Sequence, residues 1–254
     1  MARIITICNA KGGVGKTTTA INLSAYLAAL GKYVLLVDMD SQANATGGLG
    51  ISMNEDSENI YHAIVNDQNP SALLKKTSIF GFDVLPAAQS LAGATVELVT
   101  MEEREFRLKN VLSSLRMNYD YILIDCPPSI GLLTVNALTA GDYVLIPVQC
   151  EYYSLEGLGQ LIYAVNLVQQ GLNPDLQVLG VLLTMYDKRN QLNRHVVNEV
   201  TKNFPGRVFD TVISRTIDLA AAPSYGKSIL QFNPNSKAAS EYRRLAEEVI
   251  KLTL

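Results

Sequence analysis

Short apolar runs rich in β-branched residues alternate with stretches of helical spacing along most of the chain. Residues 3–9 (RIITICN), 33–38 (YVLLVD), 82–86, 119–125 (YDYILID), 142–148 (DYVLIPV), 176–184 (LQVLGVLLT) and 208–213 are each bounded by polar or turn residues, as buried strands are. Residues 17–30 place Ala20, Leu23, Ser24, Leu27 and Leu30 on one helical face. Residues 102–117, 155–170, 191–203 and 236–254 repeat that period. Residues 47–70, opened by Gly47, Gly48 and Gly50, lack a clear period and predict a loop with one short helix. Strand and helix in alternation predict an α/β fold, a doubly wound, mostly parallel sheet flanked by helices. A chain of 254 residues suffices for one such domain over residues 1–254.

The first strand-to-helix junction carries the most specific chemistry. Ala10, Lys11, Gly12, Gly13, Val14, Gly15, Lys16, Thr17 and Thr18 sit between the 3–9 strand and the 17–30 helix. A phosphate chain needs a loop whose N–H groups point inward, and glycine adopts the required conformations without a side-chain clash. The helix that follows adds unpaired N–H groups and its positive dipole end. In that setting Lys16 reaches the terminal phosphates and the Thr17 hydroxyl ligates Mg²⁺, which marks a P-loop nucleotide site of the NTPase type. The strict pattern has glycine at position 10; this chain has Ala10 and gains Lys11 inside the loop.

Two strand ends supply carboxylates. Ligands of open α/β sheets bind beyond the carboxyl ends of strands, where Asp40 falls, and Asp38 lies two residues earlier. Either can support a Mg²⁺-bound water or orient the attacking water, with Asp40 the better placed. Asp125 ends the 119–125 strand and is the candidate Mg²⁺ support there, whereas Asp120 belongs to the strand's outer end. Pro127 and Pro128 stiffen the following loop, and Gly131 gives it a pivot. The turn-rich stretch 222–227 with Pro223, and Met185 after the 176–184 strand, are expected to border the base of a nucleotide.

Composition narrows the remaining classes. Hydrophobic residues at 48% and charged residues at 18% suit a soluble globular chain, and a net charge of -3 disfavours a protein that coats nucleic acid. A local basic bias remains at Lys188, Arg189, Arg194, Lys202 and Arg207. Cys8, Cys126 and Cys150 lack CxxC spacing and no secretory signal precedes them, which predicts a reduced, cytoplasmic setting with thiols as small apolar fillers. His62 and His195 stand far apart and predict no metal site. Tyr152 and Tyr153 suit packing in a core or an interface. No uninterrupted run of about 18 apolar residues occurs. Glu241, Glu247 and Glu248 make the 236–254 helix a docked element, without the basic polar face of a membrane anchor.

Taken together, KGGVGKTTTAINL, VLLVDMDSQANATGGLG, YDYILIDCPPSIGLLTVNAL, IPVQCEYYSLEGL, GVLLTMYDKRNQL and APSYGKSI resemble the ParA/Soj family of chromosome- and plasmid-partitioning ATPases, in the deviant Walker A class. The resemblance implies an ATP- and Mg²⁺-dependent homodimer in which Lys11 crosses to the partner's phosphates. Lys16 then binds the β- and γ-phosphates, Thr17 binds Mg²⁺, and Thr18 binds phosphate with the amides of Gly12, Gly13, Val14 and Gly15. Asp40 supports hydrolysis and Asp125 is the Walker B carboxylate. It further implies non-specific DNA binding in the ATP state, with Arg189 on the DNA surface and Lys188 and Arg194 beside it. A ParB/Spo0J-like centromere-binding partner stimulates an otherwise slow hydrolysis, and the protein associates with the nucleoid.

Two departures matter. Asp40-Ser41-Gln42 replaces the usual Asp-Pro-Gln and loosens that loop. Asp218 stands where many relatives carry arginine, a charge reversal that weakens the expected DNA contact. The first strand starts at once, so no N-terminal helix-turn-helix extension is expected. A MinD-like membrane-shuttling ATPase would share Lys11 and the loop but needs a basic amphipathic terminal helix. A nitrogenase-iron-protein-like reductase needs cluster cysteines in other positions. A GTPase needs an Asn-Lys-x-Asp motif, which is absent.

Overall fold

The residues of the central strands are buried on both faces, and the sheet they form is accordingly covered on both sides. The computed structural model describes residues 1–54, 57–151 and 154–254, from the backbone alone at 154–156; Tyr152 and Tyr153 lie outside them. The strands are β1 (Arg3–Ile7), β2 (Val34–Asp38), β3 (Lys75–Lys76), β4 (Phe82–Leu85), β5 (Tyr121–Asp125), β6 (Tyr143–Gln149) and β7 (Gln177–Thr184). They pair in the order β3-β4-β2-β5-β1-β6-β7, parallel throughout except for β3 against β4. Side chains alternate across it: Leu35, Val37, Ile122 and Ile124 enter one core, Val34, Leu36, Tyr121 and Leu123 the other.

The first helices are α1 (Lys16–Ala29), α2 (Asn44–Gly48), α3 (Ile60–Val65), α4 (Pro70–Leu73), α5 (Leu91–Glu97) and α6 (Arg107–Ser113). There follow α7 (Leu132–Ala140), α8 (Ser154–Gly171), α9 (Gln191–Asn203), α10 (Ile217–Ala221), α11 (Ile229–Phe232) and α12 (Lys237–Thr253). Residues of α3 to α9 build the first core, and those of α1, α2, α11 and α12 build the second. No helix among the described residues is long and apolar enough to cross a membrane.

The main strands and the helices α1, α8, α9 and α12 fall where the hydrophobic pattern puts them, whereas α5, α7, α10 and α11 have no counterpart in it; four further segments differ. Residues 47–70 lie across three short helices, because Asn59 and Asn69 cap α3 and α4 by accepting the N–H groups of Tyr61 and Ser71. The helix expected over 102–117 shrinks to α6, since Glu103 takes a φ of 50° that a helix does not allow. Residues 208–213 form no continuous strand. Val208 bridges Val181, but the N–H groups of Asp210 and Thr211 turn to the Glu248 carboxylate at 2.9 and 3.1 Å, which interrupts the ladder. Finally, β3 has only two residues, too few for any period; its exposed Lys75 and Lys76 discourage edge-to-edge pairing.

α12 holds the first and last parts of the described chain together. Arg3 donates Nε to the Thr253 carbonyl at 2.6 Å, the Tyr121 and Thr253 hydroxyls meet at 2.8 Å, and α12 packs along α1. Glu241, 2% exposed, accepts the Ser214 N–H at 2.8 Å and its hydroxyl at 2.7 Å. Glu241→Ala leaves these buried donors unmatched and is expected to cost about 1–3 kcal/mol. Urea unfolding should give a lower midpoint at an unchanged slope.

Candidate functional site

β1 ends at Ile7, and the chain must turn sharply to enter α1. Asn9 secures this turn: its Nδ2 donates to the Pro147 carbonyl at 2.8 Å and its Oδ1 accepts the Lys11 N–H at 3.0 Å. On the other flank Thr184 Oγ1 donates to the Val14 carbonyl at 2.8 Å. Gly15 then takes a φ of 92° immediately before α1, a conformation that only glycine adopts without strain. No side chain among the described residues caps α1, so its leading N–H groups remain open there.

These groups border a cavity of about 370 Å³. Gly12, Gly13, Gly15, Lys16, Thr17 and Thr18 form one wall, and Asp40, Asn44 and Pro128 contribute another. Asn22, Met185, Ala222, Pro223 and Lys227 extend it. Met185 and Pro223, expected to border a base, thus line the same cavity as the glycine loop. Val14 and Lys11 do not line the cavity: the Val14 side chain is fully buried. Lys11 turns aside, its Nζ 3.9 Å from Glu151 Oε2, while Glu151 Oε1 accepts from Gln149 Nε2 at 2.8 Å.

The charged groups at the strand ends are closely interdependent. Lys16 is buried and donates from Nζ to the Lys11 carbonyl at 3.0 Å. Burial lowers its pKa, and the negative charge of Asp125 opposes that shift. Asp125 is fully buried, and neither carboxylate oxygen has a hydrogen-bond partner among the described residues. Thr17 approaches it without meeting hydrogen-bond geometry. Burial and then the neighbouring Asp38 raise the Asp125 pKa well above the carboxylate range. Asp38 is differently occupied: Oδ1 accepts the Asp40 N–H at 3.1 Å, and Oδ2 accepts both the N–H and the hydroxyl of Thr46. Asp40 holds the Gln42 N–H with Oδ1 at 3.0 Å and faces the cavity. The two strand-end aspartates thus divide: Asp38 is consumed by the loop, and Asp40 is presented.

Unpartnered Asp125 oxygens, the Thr17 hydroxyl and Asp40 form a hard oxygen set. It suits Mg²⁺, which uses one or two carboxylates and fills its other positions with water and phosphate. Among the described residues no group of three or more His, Cys, Asp or Glu side chains converges on a point, so no all-protein metal cage is present. Cys8, Cys126 and Cys150 are buried, and burial pushes the Cys8 and Cys150 thiols up to about 12, the behaviour of inert core thiols.

The basic surface is more restrained than the sequence suggests. Arg189 is exposed, and its N–H, Nε and Nη2 all donate to the Asp187 carboxylate at 2.9–3.1 Å. The Arg189 guanidinium holds Asp187 down at about 2. Lys188 and Arg194 are exposed and make no ion pair among the described residues. Asp218 sits in the first turn of α10 and accepts from Asn233 Nδ2 at 3.0 Å. The sequence reading missed Asn9, Thr184, Glu151, Asn22 and Thr46. Of these only Asn22 carried a visible signal, lying four residues after Thr18 on the same helical face.

A family model described as an AAA domain matches residues 2–178. The chain is 54% identical to the sporulation initiation inhibitor protein Soj of Bacillus subtilis strain 168, over 98% of both proteins. It is 51% identical to the chromosome partitioning protein ParA of Myxococcus xanthus, over 99% of this chain and 89% of that one. Among solved structures, cobyrinic acid a,c-diamide synthase from Mycobacterium smegmatis, with ADP and magnesium bound, superposes with a TM-score of 0.88. That protein is 37% identical, over 99% of this chain and 95% of its own. With the glycine loop, the opposed aspartates and full-length identity of this order, the chain belongs to the ParA/Soj family of partitioning ATPases.

Proposed function

We propose that residues 1–254 form one deviant Walker A ATPase domain that works as an ATP-dependent dimerising switch for DNA partitioning. The observation that carries this reading is the cavity where the uncapped start of α1, Lys16 and Asp40 converge. Lys16 moves from the Lys11 carbonyl to the β- and γ-phosphates, and the amides of Gly12 to Thr18 take the phosphate oxygens. Thr17, with Asp125 and Asp40 directly or through water, holds Mg²⁺, which when bound neutralises phosphate charge. Asp40 orients the attacking water. Met185 and Pro223 flank the base.

Lys11 leaves Glu151 and reaches the phosphates of the partner subunit, so the site is complete only in the ATP homodimer. Basal hydrolysis is slow because it awaits dimerisation and a ParB/Spo0J-like activator. In the ATP state Lys188, Arg189 and Arg194 meet DNA phosphates without reading sequence, and the protein resides on the nucleoid. Asp218, engaged by Asn233, contributes no positive charge to that surface.

Co-sedimentation with random-sequence DNA tests the reading across a salt series. Wild type should bind only with ATP and release as salt rises, and Arg189→Glu should lose binding by at least about tenfold at 100 mM salt. ATP dimers that bind no DNA under any condition would refute the DNA arm while leaving the ATPase arm standing.

A further inference from the structure

Asp40 reaches the cavity on a loop whose geometry needs support. Its Oδ1 is fixed by the Gln42 N–H, and its carbonyl accepts the Ala43 N–H at 2.8 Å. Ala43 follows with a φ of 51°, a left-handed conformation that a non-glycine residue holds only where its surroundings impose it. α2 begins at the next residue, and its third residue, Thr46, is 1% exposed.

Thr46 uses every polar group it has. Its N–H and hydroxyl donate to Asp38 Oδ2 at 2.9 and 2.7 Å, and its hydroxyl oxygen accepts the Ala87 N–H at 3.1 Å. The other oxygen of Asp38 accepts the Asp40 N–H at 3.1 Å. One buried carboxylate therefore joins α2 to the backbone of Asp40, and Ala87, just beyond β4, fixes the hydroxyl from behind. The end of α2 and the residues just beyond it are also closely packed. A Cβ on Gly48 would lie 2.8 Å from Ile21 Cδ1 of α1, and one on Gly226 would lie 2.7 Å from Gly50 Cα.

We infer that Thr46 is a positioning residue for hydrolysis, holding Asp40 in place through Asp38 without touching nucleotide. The inference rests on the reading of Asp40 given above. A residue that matters only for packing would lower stability and nucleotide affinity together. A positioning residue lowers turnover alone, and its hydroxyl suffices for rescue.

The test uses the full chain with Mg-ATP and any activator that stimulates it. Thr46→Val is expected to lower kcat about tenfold, with the KM for ATP and the affinity for ADP within about twofold of wild type. Thr46→Ser should restore at least half of the lost turnover. Thr46→Ala removes the same hydroxyl with less bulk and carries the test if the valine protein does not fold. Wild-type kcat in the hydroxyl-free variant, a parallel loss of affinity, or failure of serine to rescue would each overturn the inference. Asp40→Ala separates the two readings: if it hydrolyses ATP normally, the reading of Asp40 fails first. If it is slow while the Thr46 variants match wild type, only the inference on Thr46 fails.

Discussion

Lys11→Ala is expected to bind ATP as a monomer and to lose about 10³-fold or more of its activated ATP turnover, the scale set by charge-supplying fingers in other phosphoryl-transfer enzymes. The expectation follows from where Lys11 is and is not. Its side chain does not line the cavity of its own chain, so monomeric nucleotide binding through Lys16 and the loop amides survives its removal. Its only described ion-pair partner is Glu151, 3.9 Å away, with side chains 32% and 47% exposed. An exposed pair of this kind is worth less than about 1 kcal/mol. Giving up Glu151 therefore costs Lys11 little in the dimer proposed above. Size-exclusion chromatography with ATP, beside an ATPase assay, checks both halves: an ATP dimer of unchanged strength would remove Lys11 from the interface.

Asp40→Ala should give the opposite separation. The ATP dimer is expected to form, and turnover to fall by about 10²- to 10⁴-fold, the range for losing a residue that handles the attacking water. Asp40 is the right carboxylate for this loss because Asp38, although nearer the sheet, has both oxygens occupied by Asp40, Thr46 and their N–H groups. Single-turnover hydrolysis measured on preformed dimers isolates the chemical step. A normal rate there would reassign the water-orienting role.

The strands carrying the site could be read from the sequence because each is an apolar run buried on both faces and closed by a polar residue. Asp38 and Asp125 mark such ends, and they lie opposite one another in the β2–β5 register. The glycine loop was legible for a related reason: Gly15 sits where the backbone must become left-handed. What stayed hidden depends on contacts distant in sequence. Nothing around Glu248 announces that it takes the N–H groups of Asp210 and Thr211 and so ends a strand ladder. A different case is Arg189, whose partner Asp187 is only two residues away, but the choice of Arg189 over the intervening Lys188 as that partner is set by the fold of the turn. Polar stretches misled for the opposite reason, since Asn59 and Asn69 looked like loop residues while acting as helix caps.

The packing of α12 along α1 has a consequence for the order of synthesis. Part of the outer face of α1, the helix that opens the phosphate loop, is covered by residues of α12 such as Tyr242, whose hydroxyl lies 3.4 Å from that of Thr19. On a ribosome α1 emerges early and α12 late. At translation rates of ~5–20 residues per second, the interval is on the order of ten to forty seconds. Throughout it the phosphate loop leads into a helix with part of its apolar face still wet, so the growing chain is open to chaperones before it has a finished nucleotide pocket.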